Sequence, residues 1–321
     1  MKVLVTGGAG YIGSHTVYLL IEQGHDVVVV DNLVTGHKQD VHPDAKFYYG
    51  NIGDYPLMVD ILRKEKVDGL IHFAAYSLVG ESMSQPFKYY ENNVSATNVM
   101  LAAMAECGVK QLVFSSTAAT YGDVNVPLIT EEMPTHPTNP YGQTKLAMEQ
   151  MIAWHGQAYG MRHVAFRYFN VAGAHSSGRI YEKHDPETHL IPLVLEVAAG
   201  VRKQIYIFGD DYATPDGTCI RDYIHVMDLA VAHVKAMNYL IDGGKSMTFN
   251  LGNGEGFSVR QVIEAAQKVT GREILTHVSD RRQGDPAKLI ASSLLATETL
   301  NWIPQYPSIE AIIESAWKAA Y

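Results

Sequence analysis

KVLVTGGAGYIG, residues 2–13, runs from a β-branched apolar stretch into a glycine cluster and on into a helical pattern. Gly7, Gly8, Gly10 and Gly13 permit a tight turn in which backbone N–H groups approach a pyrophosphate at a helix N-terminus. Glycine turns are common, so the motif alone is weak. Asp31 strengthens it. It ends the next apolar run, DVVVV (26–30), 18 residues past Gly13. A carboxylate there accepts hydrogen bonds from the adenosine ribose hydroxyls and repels a 2′-phosphate. NAD is therefore expected in preference to NADP.

The same alternation continues along the chain. Strands are expected at 2–6, 26–30, 46–49, 69–74, 111–116 and 163–169, with helices near 12–23, 55–65, 87–107 and 141–159 between them. Strands apolar throughout and separated by helices imply a parallel sheet covered on both faces. The expected fold is α/β, a doubly wound Rossmann sheet, with a smaller C-terminal α/β substrate domain. Residues 1–175 are expected to bind the dinucleotide and 176–321 the substrate. A helix at 226–241 and a strand near 247–251 are regular enough to return to the first domain.

Composition narrows the partners. The net charge of −9 argues against a nucleic-acid or anionic-membrane surface, though a local arginine cluster can still hold a polyanion. Two cysteines, Cys107 and Cys219, suit a reducing compartment. No apolar run of ~20 residues suggests a membrane span. The expectation is a cytoplasmic protein.

NPYGQTK (139–145) opens a helix and sets Tyr141 and Lys145 at i and i+4 on one face. Such a pair is commonly a surface pair. Here it follows the strand leading to Ser116 and Thr117, in a chain already expected to hold NAD. A phenol titrates near ~10, and lowering it by ~3 units needs about 4 kcal/mol. A neighbouring ammonium and a positive nicotinamide ring both act in that direction. Tyr141 could then take a proton from a substrate hydroxyl, with Thr117 hydrogen-bonded to the same oxygen. Among the fourteen histidines no HExxH or compact ligand cluster stands out, so no metal is expected. His184 and His189 read as solvated loop residues, as do Glu131–Glu132 and Asp210–Asp211. His72 reads as a plain strand terminus, and His225 and Asp228 as groups capping or orienting the next helix.

With Gly7, Gly10, Gly13, Thr117 and the Tyr141–Lys145 pair, the chain resembles the extended short-chain dehydrogenase/reductase family. HFAAYSLVGES (72–82), YYENNV (89–94), RYFNVAGA (167–174), TPDGTCIRDYIHVMDLA (214–230), NLGNG (250–254) and RRQGDPA (281–287) look like its UDP-glucose 4-epimerase branch. The likeness covers nearly the whole chain. It implies an isomerase that interconverts UDP-galactose and UDP-glucose by transient oxidation at C4, with NAD retained and no net redox change. It also implies a homodimer.

Carried over by position, the resemblance makes Thr117, Tyr141 and Lys145 catalytic. Cofactor contacts fall on Gly7, Gly10, Tyr11, Ile12, Gly13, Asp31, Asn32, Asn51 and Ile52. Phe73, Ala74, Ala75, Asn92, Ser115 and Tyr168 join them, with Tyr141 and Lys145 shared. Substrate contacts fall on Thr117, Tyr141, Asn170, Leu190, Tyr206, Phe208, Arg221, Arg282 and Asp285. The forks of Arg221 and Arg282 suit a diphosphate independently of any likeness, whereas Arg281 reads as a surface ion pair. Asn51 stands where an Asp often contacts adenine, and Ser77 where some members carry a lysine. Leu289 stands where a bulky Tyr or a small Cys governs access of N-acetylated sugars. A net dehydrogenase or a UDP-N-acetylhexosamine 4-epimerase remains an alternative. Dehydratases of the family carry Asp-Glu directly after the catalytic Thr, where this chain has Ala118 and Ala119. A binding module without catalysis should have lost the Tyr or the Lys.

Overall fold

The computed structural model describes residues 1–124, 126–282 and 286–321. Its first six strands are β1 (Lys2–Thr6), β2 (Asp26–Asp31), β3 (Lys46–Tyr49), β4 (Gly69–His72), β5 (Gln111–Ser115) and β6 (Arg162–Tyr168). Then come β7 (Asn170–Ala172), β8 (Ile205–Phe208), β9 (Ile220–His225), β10 (Met247–Leu251), β11 (Gly256–Ser258), β12 (Thr276–Ser279) and β13 (Lys288–Leu289). Seven of them form one parallel sheet in the order β10-β6-β5-β4-β1-β2-β3. The chain leaves β1 towards β2 and β3, then crosses back to β4 on the other side. That reversal opens a crevice at the carboxyl ends of β1 and β4, where ligands of doubly wound sheets bind.

The unbroken apolar strands follow from burial on both faces. Val3 and Val5 face one core with Val29, Leu20 and Met237, under the Tyr11–Glu22 and Val226–Ile241 helices. Leu4 points the other way and packs with Val28, Met100, Leu112 and Met148, under the Tyr55–Glu65, Ala96–Cys107 and Pro140–Tyr159 helices. A third core gathers Ile191, Leu195, Ile207, Val262 and Ile312 around the two-stranded β8–β12 sheet. β9 pairs with β7, β11 and β13 in a further small sheet. The helix at 226–241 and β10 do return to the large sheet. Ala296, Leu300 and Trp302 return to it as well, a contribution the pattern did not reveal. His225 caps the 226–241 helix by accepting from Met227 N (3.1 Å), and Asp228 accepts from Gln305 N (2.8 Å) and Tyr306 N (3.0 Å).

Two glycines set the approach of the first helix to β1. A Cβ on Gly13 would lie 2.1 Å from the Gly7 carbonyl oxygen, so any side chain there forces helix and strand apart. Gly7 has φ +74° and packs against the Ala74 backbone, where a Cβ would lie 2.6 Å from Ala74 N.

The expected single helix over 87–107 is not continuous. Helical turns at Pro86–Tyr89 and Ala96–Cys107 are joined by a π-helical segment, Tyr90–Ser95. The wider turn lets Asn93 bracket the Tyr76 backbone, accepting from its N–H (2.9 Å) and donating to its carbonyl (3.0 Å), while Asn92 reaches the crevice. His72 is a structural residue, its ring held between Thr6 Oγ1 (2.7 Å) and Thr97 Oγ1 (3.0 Å).

Candidate active site

The loops that follow the strands enclose a cavity of about 470 Å³. At one end lies the glycine turn. The 11–22 helix begins at Gly10 without a side-chain cap and with no acidic residue in its first turn, so its free N–H groups suit a pyrophosphate. Asp31 is anchored by the N–H groups of Ala9 (2.9 Å to Oδ2) and Leu33 (2.8 Å to Oδ1), with further acceptor capacity towards the cavity. Gly7, Gly10, Tyr11, Ile12, Gly13, Asn32, Asn51, Ile52, Phe73, Ala74, Ala75, Asn92 and Tyr168 line the same space. These residues fit a dinucleotide. Ser115 does not line the cavity. It is buried beneath it, where its carbonyl accepts from Lys145 Nζ (2.8 Å) and its hydroxyl pairs with Tyr168 (2.5 Å).

Thr117, Tyr141 and Lys145 meet on the cavity wall. Asn139 caps the 140–159 helix, accepting from Gly142 N at 2.8 Å, and Pro140 starts it. A Cβ on Gly142 would lie 2.6 Å from the Ala119 carbonyl oxygen. That close approach brings the first helical turn, and Tyr141 with it, beside Thr117.

Electrostatically the pair departs from expectation. Burial pushes Tyr141 up to about 12, with the Thr117 hydrogen bond acting the other way. Burial pushes Lys145 down to about 7, opposed by the charge of Glu149. The lysine does not lower the phenol, because burial leaves it without its proton well below the pH at which the phenol titrates. The protein alone holds a neutral phenol.

Glu149 escaped the sequence reading, yet it follows Tyr141 and Lys145 at the same spacing of four. It forms a bidentate pair with Arg167 (3.0 and 2.6 Å) and accepts from Ser116 Oγ. Asp222 was also missed. Buried and pushed up to about 6, it accepts from Asn253 N (2.8 Å) and Ala291 N (3.1 Å), organising the loops beside Arg221.

The substrate residues divide. Asn170, Arg221 and Leu289 line the cavity, and Arg221 also donates to the Pro286 carbonyl at 2.8 Å. Leu190, Tyr206, Phe208 and Arg282 do not line it. Leu190 starts the Leu190–Ala198 helix, while Tyr206 and Phe208 stack on β8 with the Arg282 guanidinium 4.1 Å over the Phe208 ring. Asp285 lies outside the described residues. Arg281 pairs with Asp211 (2.5 Å) at the surface, as expected.

Two expectations of plain solvation hold only in part, His189 itself being exposed. Glu131 is half-buried and accepts from Asn250 N at 2.7 Å. His184 and His189 are gathered with Glu182 and Glu187 at the cavity rim. Burial opposes their protonation, but the two carboxylates hold them up at about 9 and about 10.

Comparison with known proteins agrees with this geometry. Residues 3–252 match the NAD dependent epimerase/dehydratase family. A UDP-glucose 4-epimerase of Halalkalibacterium halodurans is 58% identical over 318 residues, 99% of this chain and 95% of the relative. That of Streptococcus mutans is 56% identical over 319 residues, 99% and 96% of the two chains. The crystal structure of the Brucella ovis UDP-glucose 4-epimerase in complex with NAD superposes with a TM-score of 0.96 at 47% identity, covering 99% of this chain and 97% of that one. The expected cofactor, NAD, is the family's own. The chain belongs to the NAD dependent epimerase/dehydratase family and, within it, to the UDP-glucose 4-epimerases.

Proposed function

We propose that this enzyme interconverts UDP-galactose and UDP-glucose with Tyr141 Oη as the group that removes and returns the proton of the hexose C4 hydroxyl. The carrying observation is the meeting of Thr117, Tyr141 and Lys145 on one wall of the cavity that Asp31 and the glycine turn also line. Thr117 Oγ1 orients the C4 oxygen towards the phenol. Lys145, held by the Ser115 carbonyl, stands below as the charge that steadies a phenolate once one forms. Bound NAD supplies the two-electron acceptor and donor for C4, together with a cationic ring that favours phenolate. Burial excludes water from the phenol, so the proton it takes stays available for return.

Residues 1–175 with 226–251 hold the dinucleotide in this reading, and the remainder binds the UDP moiety through Arg221, with Asn170 reaching it from the first part. Ala118 and Ala119, directly after Thr117, leave no acid or base to drive elimination. Purified protein given UDP-galactose and no added NAD is expected to produce UDP-glucose. Absence of product, with stoichiometric reduction of added NAD instead, would assign a net dehydrogenase.

A homodimer is the proposed assembly. Phe87 and Trp154 are 77% and 67% exposed, next to or on the two outer helices at 96–107 and 140–159, where pairing would cover them. A solution mass near twice 35.4 kDa is expected; a monomeric mass contradicts it.

A further inference from the structure

Glu182, His184, Glu187 and His189 each offer one ligand atom, and these atoms all lie within 4.8 Å of one another. His184 Nδ1 stands 3.3 Å from Glu182 Oε1 and 3.5 Å from Glu187 Oε2, and His189 Nδ1 stands 3.5 Å from Glu187 Oε1. A tetrahedral ion bound at about 2.0–2.1 Å separates its ligand atoms by about 3.3 Å. A further separation, His189 Nδ1 to Glu182 Oε1, is a 2.6 Å hydrogen bond that an ion would replace.

The supporting contacts are already present. Glu187 Oε1 accepts the N–H groups of Thr188 (2.7 Å) and His189 (2.8 Å), fixing the carboxylate with its Oε2 facing His184. His184 Nδ1 is buried and faces the Glu182 and Glu187 carboxylates without a well-aligned hydrogen bond to either. A metal bond would satisfy it. The segment is also tied to the dinucleotide half of the cavity. Lys183 donates to Asp40 Oδ1 at 2.9 Å, and the His184 ring stands edge-on to Tyr11 of the glycine turn, 6.2 Å between centroids.

We propose that Glu182, His184, Glu187 and His189 bind one zinc-class divalent cation, which pins residues 182–189 against the rim of the cofactor cavity. Two imidazoles and two carboxylates suit zinc, whereas calcium and magnesium prefer all-oxygen sets of higher coordination number. Four protein ligands close the coordination sphere, so the ion organises structure and activates no water.

NAD-bound protein dialysed against a chelator, then titrated with zinc chloride by calorimetry, is expected to bind one ion per chain. Cobalt(II) in its place is expected to give the intense visible absorption of tetrahedral coordination. His184→Ala and His189→Ala should each weaken zinc binding by at least about a hundredfold, since loss of a ligand exceeds loss of an outer partner. His277→Ala, remote from the cluster on β12, should leave binding unchanged. Absence of one-per-chain binding by the unaltered protein, or the weak spectrum of octahedral cobalt, overturns the site without recourse to any variant. Equal binding by folded His184→Ala, His189→Ala and unaltered protein overturns it too.

Discussion

Tyr141→Phe is expected to lower turnover of UDP-galactose by about 10³–10⁴-fold, the upper range for loss of a positioned acid–base group. The variant keeps the ring that fills the wall and loses only the oxygen that handles the C4 proton. Binding should survive: Asn170 and Arg221, proposed to hold the nucleotide, are untouched. The expected signature is therefore a fall in kcat with substrate affinity changed by less than about tenfold. Turnover within tenfold of the unaltered enzyme would remove Tyr141 from its role. The size of the effect follows from how the site is built. No other described side chain of suitable pKa is placed beside Thr117, since Lys145 is committed to the Ser115 carbonyl and Glu149 to Arg167. No described side chain nearby is available to take over.

The same residues show what a sequence discloses. The glycine turn and Asp31 are legible because their spacing is local and each has one physical reason: a close approach at Gly7 and Gly13, a carboxylate at the end of β2. Tyr141 and Lys145 are legible because four residues make one helical turn. Glu149 obeys the same rule and could have been found by extending it one step. The electrostatic sign at Tyr141 could not be found that way. It depends on the desolvation of both groups, which is a property of packing. The π-helical turn at 90–95 is hidden because its residues have ordinary helical character, while the Asn93–Tyr76 bracket that accompanies it is a tertiary contact. The Glu182–His189 cluster is hidden for another reason. Its segment has no periodicity, and its path is set by distant partners such as Asp40. Tyr206 and Phe208 came from resemblance alone, and they stand on β8 away from the cavity wall with no local pattern to mark them.

Glu149→Ala is expected to destabilise the fold by about 3–5 kcal/mol, read from urea-induced unfolding. The Glu149 and Arg167 side chains are 10% and 9% exposed, and the pair shares two hydrogen bonds. Removing the carboxylate strands a buried guanidinium against the Tyr121 ring, 4.9 Å from its centroid, and removes the acceptor of Ser116 Oγ. A loss below about 1 kcal/mol would mean that water reaches Arg167, contrary to its burial. Glu149→Leu combined with Arg167→Met takes both charges out together, and is expected to recover most of the stability because neither ion then pays desolvation. Recovery of stability need not restore catalysis, and the two readouts separate the roles of the pair. The charge of Glu149 raises the Lys145 ammonium against the effect of burial, so without it Lys145 falls below its present value of about 7. A group depressed in this way loses its proton at lower pH. If turnover needs the ammonium beneath Tyr141, the alkaline limb of kcat should move to lower pH in the stable double variant. An unmoved limb would confine Glu149 to holding Arg167 and Ser116, and would leave Lys145 to the Ser115 carbonyl alone.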